Sequence, residues 1–280
     1  MDCSGGIEPS EKQVEAGGLN WNYFEWNPEG KFNILLVHGV TSDAHAWWRI
    51  APALAREGAR VIAVDMPGHG KTSESPDDTL WATTAHQLAA FVVATGLNKS
   101  SYSLCGHSWG GVVCLLLAVE YPEGLQRLAL LDPAIYLSEN RSAAMGAEYG
   151  EMVNQPKLSH AEYLAWAREN MPTWQDCDYY WKAGAMVAFK PATVRDFYQH
   201  NSGQNVTTQL NKVKIPLLLV ISDEQVGGIL PLEVQSAAIA ALRPGLGQAV
   251  RLSGVGHNLF REDYAATMQV LKPFLLGNEG

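Results

Sequence analysis

The stretch Leu104-Cys105-Gly106-His107-Ser108-Trp109-Gly110-Gly111 decides how the chain reads. Upstream, Ser101-Tyr102-Ser103-Leu104-Cys105 is short and rich in strand formers. Downstream, Val112 through Tyr121 is an apolar run too long for an ordinary strand and suited to a buried helix. A serine at such a junction is held on a sharp turn with its hydroxyl projecting. The N–H groups and positive dipole end of the following helix point at the same spot, where an oxyanion would be stabilised. Glycine at 106 and 110 fits this reading, because a Cβ there would collide as strand and helix pack. The G-x-S-x-G pattern alone recurs by chance. Its meaning depends on whether the rest of the chain supplies a base, an acid and a second oxyanion donor.

Working outward, short apolar runs alternate with helical patterns. Leu19 to Trp26 reads as an antiparallel edge strand after a polar tail over residues 1–17. Phe32 to Val37 and Val61 to Asp65 read as strands covered on both faces. A helical segment runs from about Trp47 to Arg56 and another from about Leu80 to Ala94. Beyond the serine, Leu125 to Leu131 is a strand ending at Asp132-Pro133. This alternation predicts βαβ units, hence an α/β chain with a mostly parallel sheet flanked by helices. From about Tyr136 to Lys212 no strand-like run occurs, and the segment is helical in pattern and dense in aromatics. It reads as an inserted helical cap (136–212) on a core made of 1–135 and 213–280. The sheet pattern resumes with Pro216 to Ile221, a helix near Leu232 to Leu242, a strand Gln248 to Leu252 and a closing helix from Asp263 to about Leu276.

Composition bounds the function. With 280 residues, 47% of them hydrophobic, the chain can bury one large core. A net charge of −9 with no long basic run disfavours nucleic acid and anionic membranes as partners. No apolar segment reaches the roughly 18 residues that a membrane span needs, and no signal-peptide pattern is evident at the N-terminus. Cys3, Cys105, Cys114 and Cys177 lack metal-ligand spacing and read as reduced residues of a cytoplasmic protein. No residue cluster implies a metal or organic cofactor, the expected partner is a small-molecule substrate, and oligomeric state is not readable.

Ligands of open α/β sheets collect beyond the carboxyl ends of the strands. The reactive residues standing there are His38-Gly39-Val40, Ser108, Asp132 and His257 in Gly254-Val255-Gly256-His257-Asn258. The order serine, acid, histidine is that of the α/β-hydrolases. The chain resembles that family over roughly residues 18–277. Gly106-His107-Ser108-Trp109-Gly110 matches the nucleophile elbow, His38-Gly39 the oxyanion-loop motif, and Asp65-x-Pro67-Gly68-x-Gly70 the turn after the fourth strand.

Each role follows from chemistry. Serine needs a base within reach to take its proton, and an imidazole suits that near neutrality. His257, in a glycine-rich turn after the last strand, is the candidate base. His38 and His107 are expected to brace loops, and Asp65 to be a structural turn residue. By resemblance, the backbone N–H groups of Val40 and Trp109 form the oxyanion hole.

The acid departs from the family pattern. The usual position, at the end of a Gly-x-x-Asp-like stretch after the cap, holds Gln225 in Ser222-Asp223-Glu224-Gln225. Gln225 cannot carry the charge that stabilises an imidazolium. Either Asp223 or Glu224 serves in a shifted register, or the acid is Asp132 at the end of the preceding strand, which is the assignment preferred here.

The resemblance implies a serine hydrolase cleaving a carboxylic ester or lactone through an acyl-enzyme. Carbon–carbon, amide or iminopeptidase hydrolysis and cofactor-free perhydrolysis use the same parts. A non-catalytic ligand receptor of this fold is the alternative outside enzymology. Serine at 108 argues against relatives with an aspartate nucleophile. The cap aromatics, with Trp109 and the pair Trp47-Trp48, are expected to shape a cavity for a bulky apolar or aromatic substrate.

Overall fold

The computed structural model describes residues 2–277. Its sheet has eight strands: β1 (Ser10–Ala16), β2 (Leu19–Trp26), β3 (Phe32–Val37), β4 (Ala59–Val64), β5 (Tyr102–His107), β6 (Leu125–Leu131), β7 (Leu217–Ile221) and β8 (Gly247–Arg251), in the order β1-β2-β4-β3-β5-β6-β7-β8. β1 pairs antiparallel with β2 and β2 antiparallel with β4; every other neighbour is parallel.

Alternation along each strand builds two cores. Leu35, Val37, Leu128, Leu130, Leu217 and Leu219 face one side of the sheet, where they pack with α2 (Trp81–Ala94) and α3 (Trp109–Glu120). Ile34, Leu36, Ala129, Leu131, Leu218 and Val220 face the other, against α1 (Ile50–Arg56) and the later helix α10 (Tyr264–Leu276). Both faces are covered, which is why these strands read as unbroken apolar runs.

Four consecutive helices separate β6 from β7: α4 (Glu139–Met152), α5 (His160–Asn170), α6 (Asp176–Ala188) and α7 (Pro191–His200). Their starts are written in the sequence. Ser138 caps α4, Ser159 and Glu162 form a capping box on α5, and Pro191 opens α7. The group packs as α4 on α7 and α5 on α6. It is tied to the sheet side through Lys190 N–H, which donates to Gly68 O at 3.0 Å. A short helix α8 (Leu232–Ala241) joins β7 to β8, and α9 (Leu259–Glu262) precedes α10.

Two expectations are corrected. Residues 10–16 are not a tail but strand β1, so the sheet edge is β1 and Leu19–Trp26 lies inside it. β1 is polar and mostly exposed, so its strand character comes from pairing with β2 and not from burial. The cysteines are not all reduced: Cys3 and Cys177 form a disulfide, with Cα atoms 5.5 Å apart, while Cys105 and Cys114 are free and buried. The bridge fastens the N-terminal segment to α6, and removes two cysteines from the reduced set on which the cytoplasmic expectation partly rested. Among the described residues, no helix is long and apolar enough to cross a membrane.

Candidate active site

Ser108 stands between β5 and α3 with φ 55° and ψ −119°. That is a conformation an L-residue adopts only when its surroundings impose it. The imposing contacts are backbone bonds on both sides. Ser108 N–H donates to Leu131 O at 3.1 Å, and Ser108 O accepts from Ala134 N at 2.9 Å and Val112 N at 3.2 Å. α3 also comes very close to β3: a Cβ on Gly110 would lie 2.4 Å from Val37 O. A Cβ on Gly39 would lie 2.7 Å from Ser108 Cβ, so the oxyanion-loop candidate runs directly against the serine.

Val40 follows Gly39 in that loop, and Trp109 is the first residue of α3. The N–H at a helix's first position has no acceptor within the helix, so it is free to face a ligand's oxygen. Buried histidines hold the loop. His38 Nδ1–H donates to Gly39 O at 2.7 Å, and its Nε2 accepts from Met66 N at 2.9 Å. His69 Nδ1–H donates to Pro67 O at 2.9 Å, and its Nε2 accepts from Thr41 N at 3.1 Å. Burial pushes His38 down to about 4 and His69 down to about 3, so both brace the loop as neutral rings. His38 thus braces the loop as its place in the His-Gly motif suggests, while His69 does so with no motif to mark it.

His257 lies in the loop after β8. Glu262 shapes that loop, its carboxylate accepting from Gly256 N at 2.5 Å and Asn258 N at 3.0 Å. His107 Nε2–H donates to His257 O at 2.8 Å. His257 Nδ1–H in turn donates to Asp132 Oδ2 at 2.7 Å. With Nδ1 carrying the proton, Nε2 is left as the acceptor on the side of the cavity that Ser108 also lines.

Asp132 is fully buried at the end of β6, with φ 39°. Its Oδ2 also accepts from Ile229 N at 3.2 Å and its Oδ1 from Ser222 N at 3.4 Å. The two other acid candidates are occupied elsewhere. Asp223 accepts from Gln225 N and Gly254 N, and Glu224 from Leu232 N. Asp65 takes three bonds, from Ala44 N, Lys71 N and Asn22 Nδ2, and ties β2 to the two loops as a turn residue should.

The cavity over Ser108 and His257 measures about 410 Å³. Aromatic residues from the helical stretch between β6 and β7 stand on its wall, among them Tyr149, Tyr163, Trp166, Trp174, Phe197 and Tyr198. Tyr179, Tyr180, Trp181 and Phe189 are not among its lining. The expectation for Trp47-Trp48 and the Trp109 side chain is corrected. Trp47 is fully buried and stacks on Phe260, Trp48 donates to Asp178 on α6, and the Trp109 ring packs between His69 and Phe197. Thr41, Ser42, Lys182 and Arg261 also line the cavity and carried no motif that would have singled them out. Among the described residues, no group of three or more His, Cys, Asp or Glu is placed to hold a metal ion.

A family model described as alpha/beta hydrolase fold matches residues 33–263. The chain therefore belongs to the α/β-hydrolase-fold family, and it is a hydrolase of that fold. It is 27% identical over 279 residues to an N-formylmaleamate deformylase of Pseudomonas putida, covering 94% of this chain and 95% of the relative. Among solved structures it is similar to E-2-(acetamidomethylene)succinate hydrolase, with TM-score 0.78 and 18% identity over 95% of this chain and 98% of that one. It is also similar to the enol-lactonase of Burkholderia xenovorans, with TM-score 0.77 and 16% identity over 95% and 100%.

Proposed function

We propose that the chain is a serine hydrolase that cleaves a carboxylic ester or lactone through an acyl-enzyme formed on Ser108. The observation that carries this reading is the bond from His257 Nδ1 to the buried Asp132 carboxylate, beside a serine held at positive φ in the same cavity. Ser108 Oγ attacks the carbonyl carbon while its proton passes to His257 Nε2. The Asp132 carboxylate stabilises the imidazolium and holds its orientation. The N–H groups of Val40 and Trp109 take the oxyanion. His257 then protonates the leaving oxygen, and a water activated by the same ring releases the acyl group. Residues 136–212 are read as a cap over a core of 1–135 and 213–280. The aromatic and aliphatic cap residues in the wall suit a bulky, partly apolar substrate.

A second reading, hydrolysis of an acyl C–N bond on the same residues, is favoured by one observation: a deformylase is among the relatives, matched over 95% of its length. A panel of short esters, aryl esters, lactones and amides on wild type and Ser108→Ala separates the two. Turnover confined to amides replaces the first reading with the second. Stoichiometric labelling without turnover would instead make the protein a receptor.

A further inference from the structure

Two cations line the cavity wall without a carboxylate to pair with. Arg261 is 4% exposed. Its Nη1 donates to Asn258 Oδ1 at 3.1 Å and its Nη2 to Ser42 Oγ at 3.1 Å, while its buried Nε has no partner. The guanidinium is fixed over Trp174, 4.8 Å from the ring centroid, and near Phe260 at 5.5 Å. Lys182, on α6, spends two of its three protons on Thr41: Nζ donates to Thr41 O at 2.7 Å and to Thr41 Oγ1 at 2.8 Å. Neither side chain takes part in an ion pair among the described residues.

The nearest carboxylates are spent elsewhere. Asp43 accepts from His45 N, Asp178 from Trp48 Nε1 and Gln175 N, and Glu262 from Gly256 N and Asn258 N. None of the three lines the cavity. The other Asp, Glu, Lys or Arg residues in its wall, Arg141 and Glu148, are exposed and of opposite sign, so they leave the sign of the interior to Arg261 and Lys182.

A buried cation with only neutral partners is costly, and an anion delivered with the substrate would offset that cost. We propose that Arg261 and Lys182 form a subsite for a carboxylate group carried by the substrate, set in the same cavity as Ser108 and His257. Lys182 contributes the ammonium proton not spent on Thr41, and Arg261 contributes the fixed charge of a guanidinium in the same wall. Burial, reinforced by the Arg261 charge, pushes Lys182 down to about 7, with Asp43 opposing the shift. A bound anion would hold the ammonium in its charged form. The substrate is thereby an acid-bearing ester, lactone or amide whose remaining body meets the cap aromatics. The proposal uses the Ser108 reading only to place the bond that reacts.

The test reads binding without turnover. Ser108→Ala is titrated calorimetrically with succinate, glutarate and adipate, with the corresponding diamides, and with inorganic phosphate. At least one dicarboxylate is expected to bind about tenfold or more tighter than its diamide, as charge-assisted hydrogen bonds predict. Adding Lys182→Met is expected to weaken that dicarboxylate about 10–100-fold and its diamide far less. Arg261→Met, which removes the fixed charge, should reduce the same preference. The proposal is overturned if no dicarboxylate binds, if the diamides bind equally well, if the preference survives Lys182→Met, or if phosphate binds tighter than all three acids. A wild-type protein that hydrolyses nothing in the substrate panel would remove the proposed function and leave this binding result standing.

Discussion

Asp132 Oδ2 and His257 Nδ1 lie 2.7 Å apart across 125 residues of sequence, with the carboxylate fully buried and also accepting from the backbone N–H groups of Ser222 and Ile229. An acid so placed fixes the histidine tautomer with Nε2 as acceptor. Replacing it with an amide, Asp132→Asn, keeps the volume but puts a donor against a donor. Turnover is expected to drop by about 10⁴. Asp223→Asn and Glu224→Gln, whose carboxylates accept from backbone N–H groups and not from His257, should keep activity within a few-fold. Steady-state kinetics on the three purified variants decides, with circular dichroism confirming that each is folded. Near-normal activity in Asp132→Asn would return the acid to Asp223 or Glu224.

Gly39→Ala tests how tightly the proposed oxyanion loop is built against the serine. The added Cβ would come 2.7 Å from Ser108 Cβ and 3.2 Å from Ser108 Oγ. Either the loop or the serine must move. Because small misplacements of reacting groups are expensive, kcat/KM is expected to fall by about 10² or more with little change in Tm. An active Gly39→Ala enzyme would show that this loop does not set the geometry of Ser108.

The neutral brace His38 gives a pH dependence whose sign can be worked out. Its folded value of about 4 lies below the ordinary 6.5, so the unfolded chain takes up the proton first as pH falls. The stability it contributes is present above pH 6.5 and is lost progressively down to about pH 4. By pH 5 that loss amounts to about 2 kcal/mol. Asp65, raised to about 6 by burial and by the neighbouring Asp43 charge, works in the opposite direction over nearly the same window. The comparison must therefore be made between variants. His38→Gln, which keeps a donor and an acceptor, should lose less Tm between pH 7 and pH 5 than wild type does. Parallel Tm curves for the two proteins would contradict the brace.

The Cys3–Cys177 bridge closes a loop of 174 residues in sequence separation. Cross-links of this kind typically stabilise by about 2–4 kcal/mol, mainly by restricting the unfolded chain. Reduction, or Cys3→Ser, is thus expected to lower Tm by about 5 °C or more. Calorimetry with and without reductant measures it. An unchanged Tm would mean that the bridge does not form in solution.

Much of this architecture was legible because burial writes itself into composition. The apolar runs Leu125–Leu131 and Phe32–Val37 coincide with β6 and β3, since both faces of those strands are covered. β1 escaped because Ser10–Ala16 is mostly exposed and gains its order only from β2. The Cys3–Cys177 pairing escaped because nothing in the spacing of two distant cysteines reports their approach. At the site, Ser108, Asp132 and His257 stand out in the sequence because each closes or follows a strand on one sheet edge. Lys182 and Arg261 do not, because the packing of α6 against the loop after Val40 brings Lys182 to the cavity, and no local pattern encodes that packing. The same packing sorts the aromatics, sending Trp174 to the cavity and Trp181 to a stack on His45.

The central claim is that Ser108 carries the acyl group. Intact-protein and peptide mass spectrometry after acid quench of the enzyme mixed with p-nitrophenyl acetate tests it most directly. The account predicts an acetyl adduct on the peptide containing Ser108, accumulating during the burst of p-nitrophenol and absent from Ser108→Ala. Undiminished turnover in Ser108→Ala, or an adduct on another residue that forms at the rate of turnover, would contradict it.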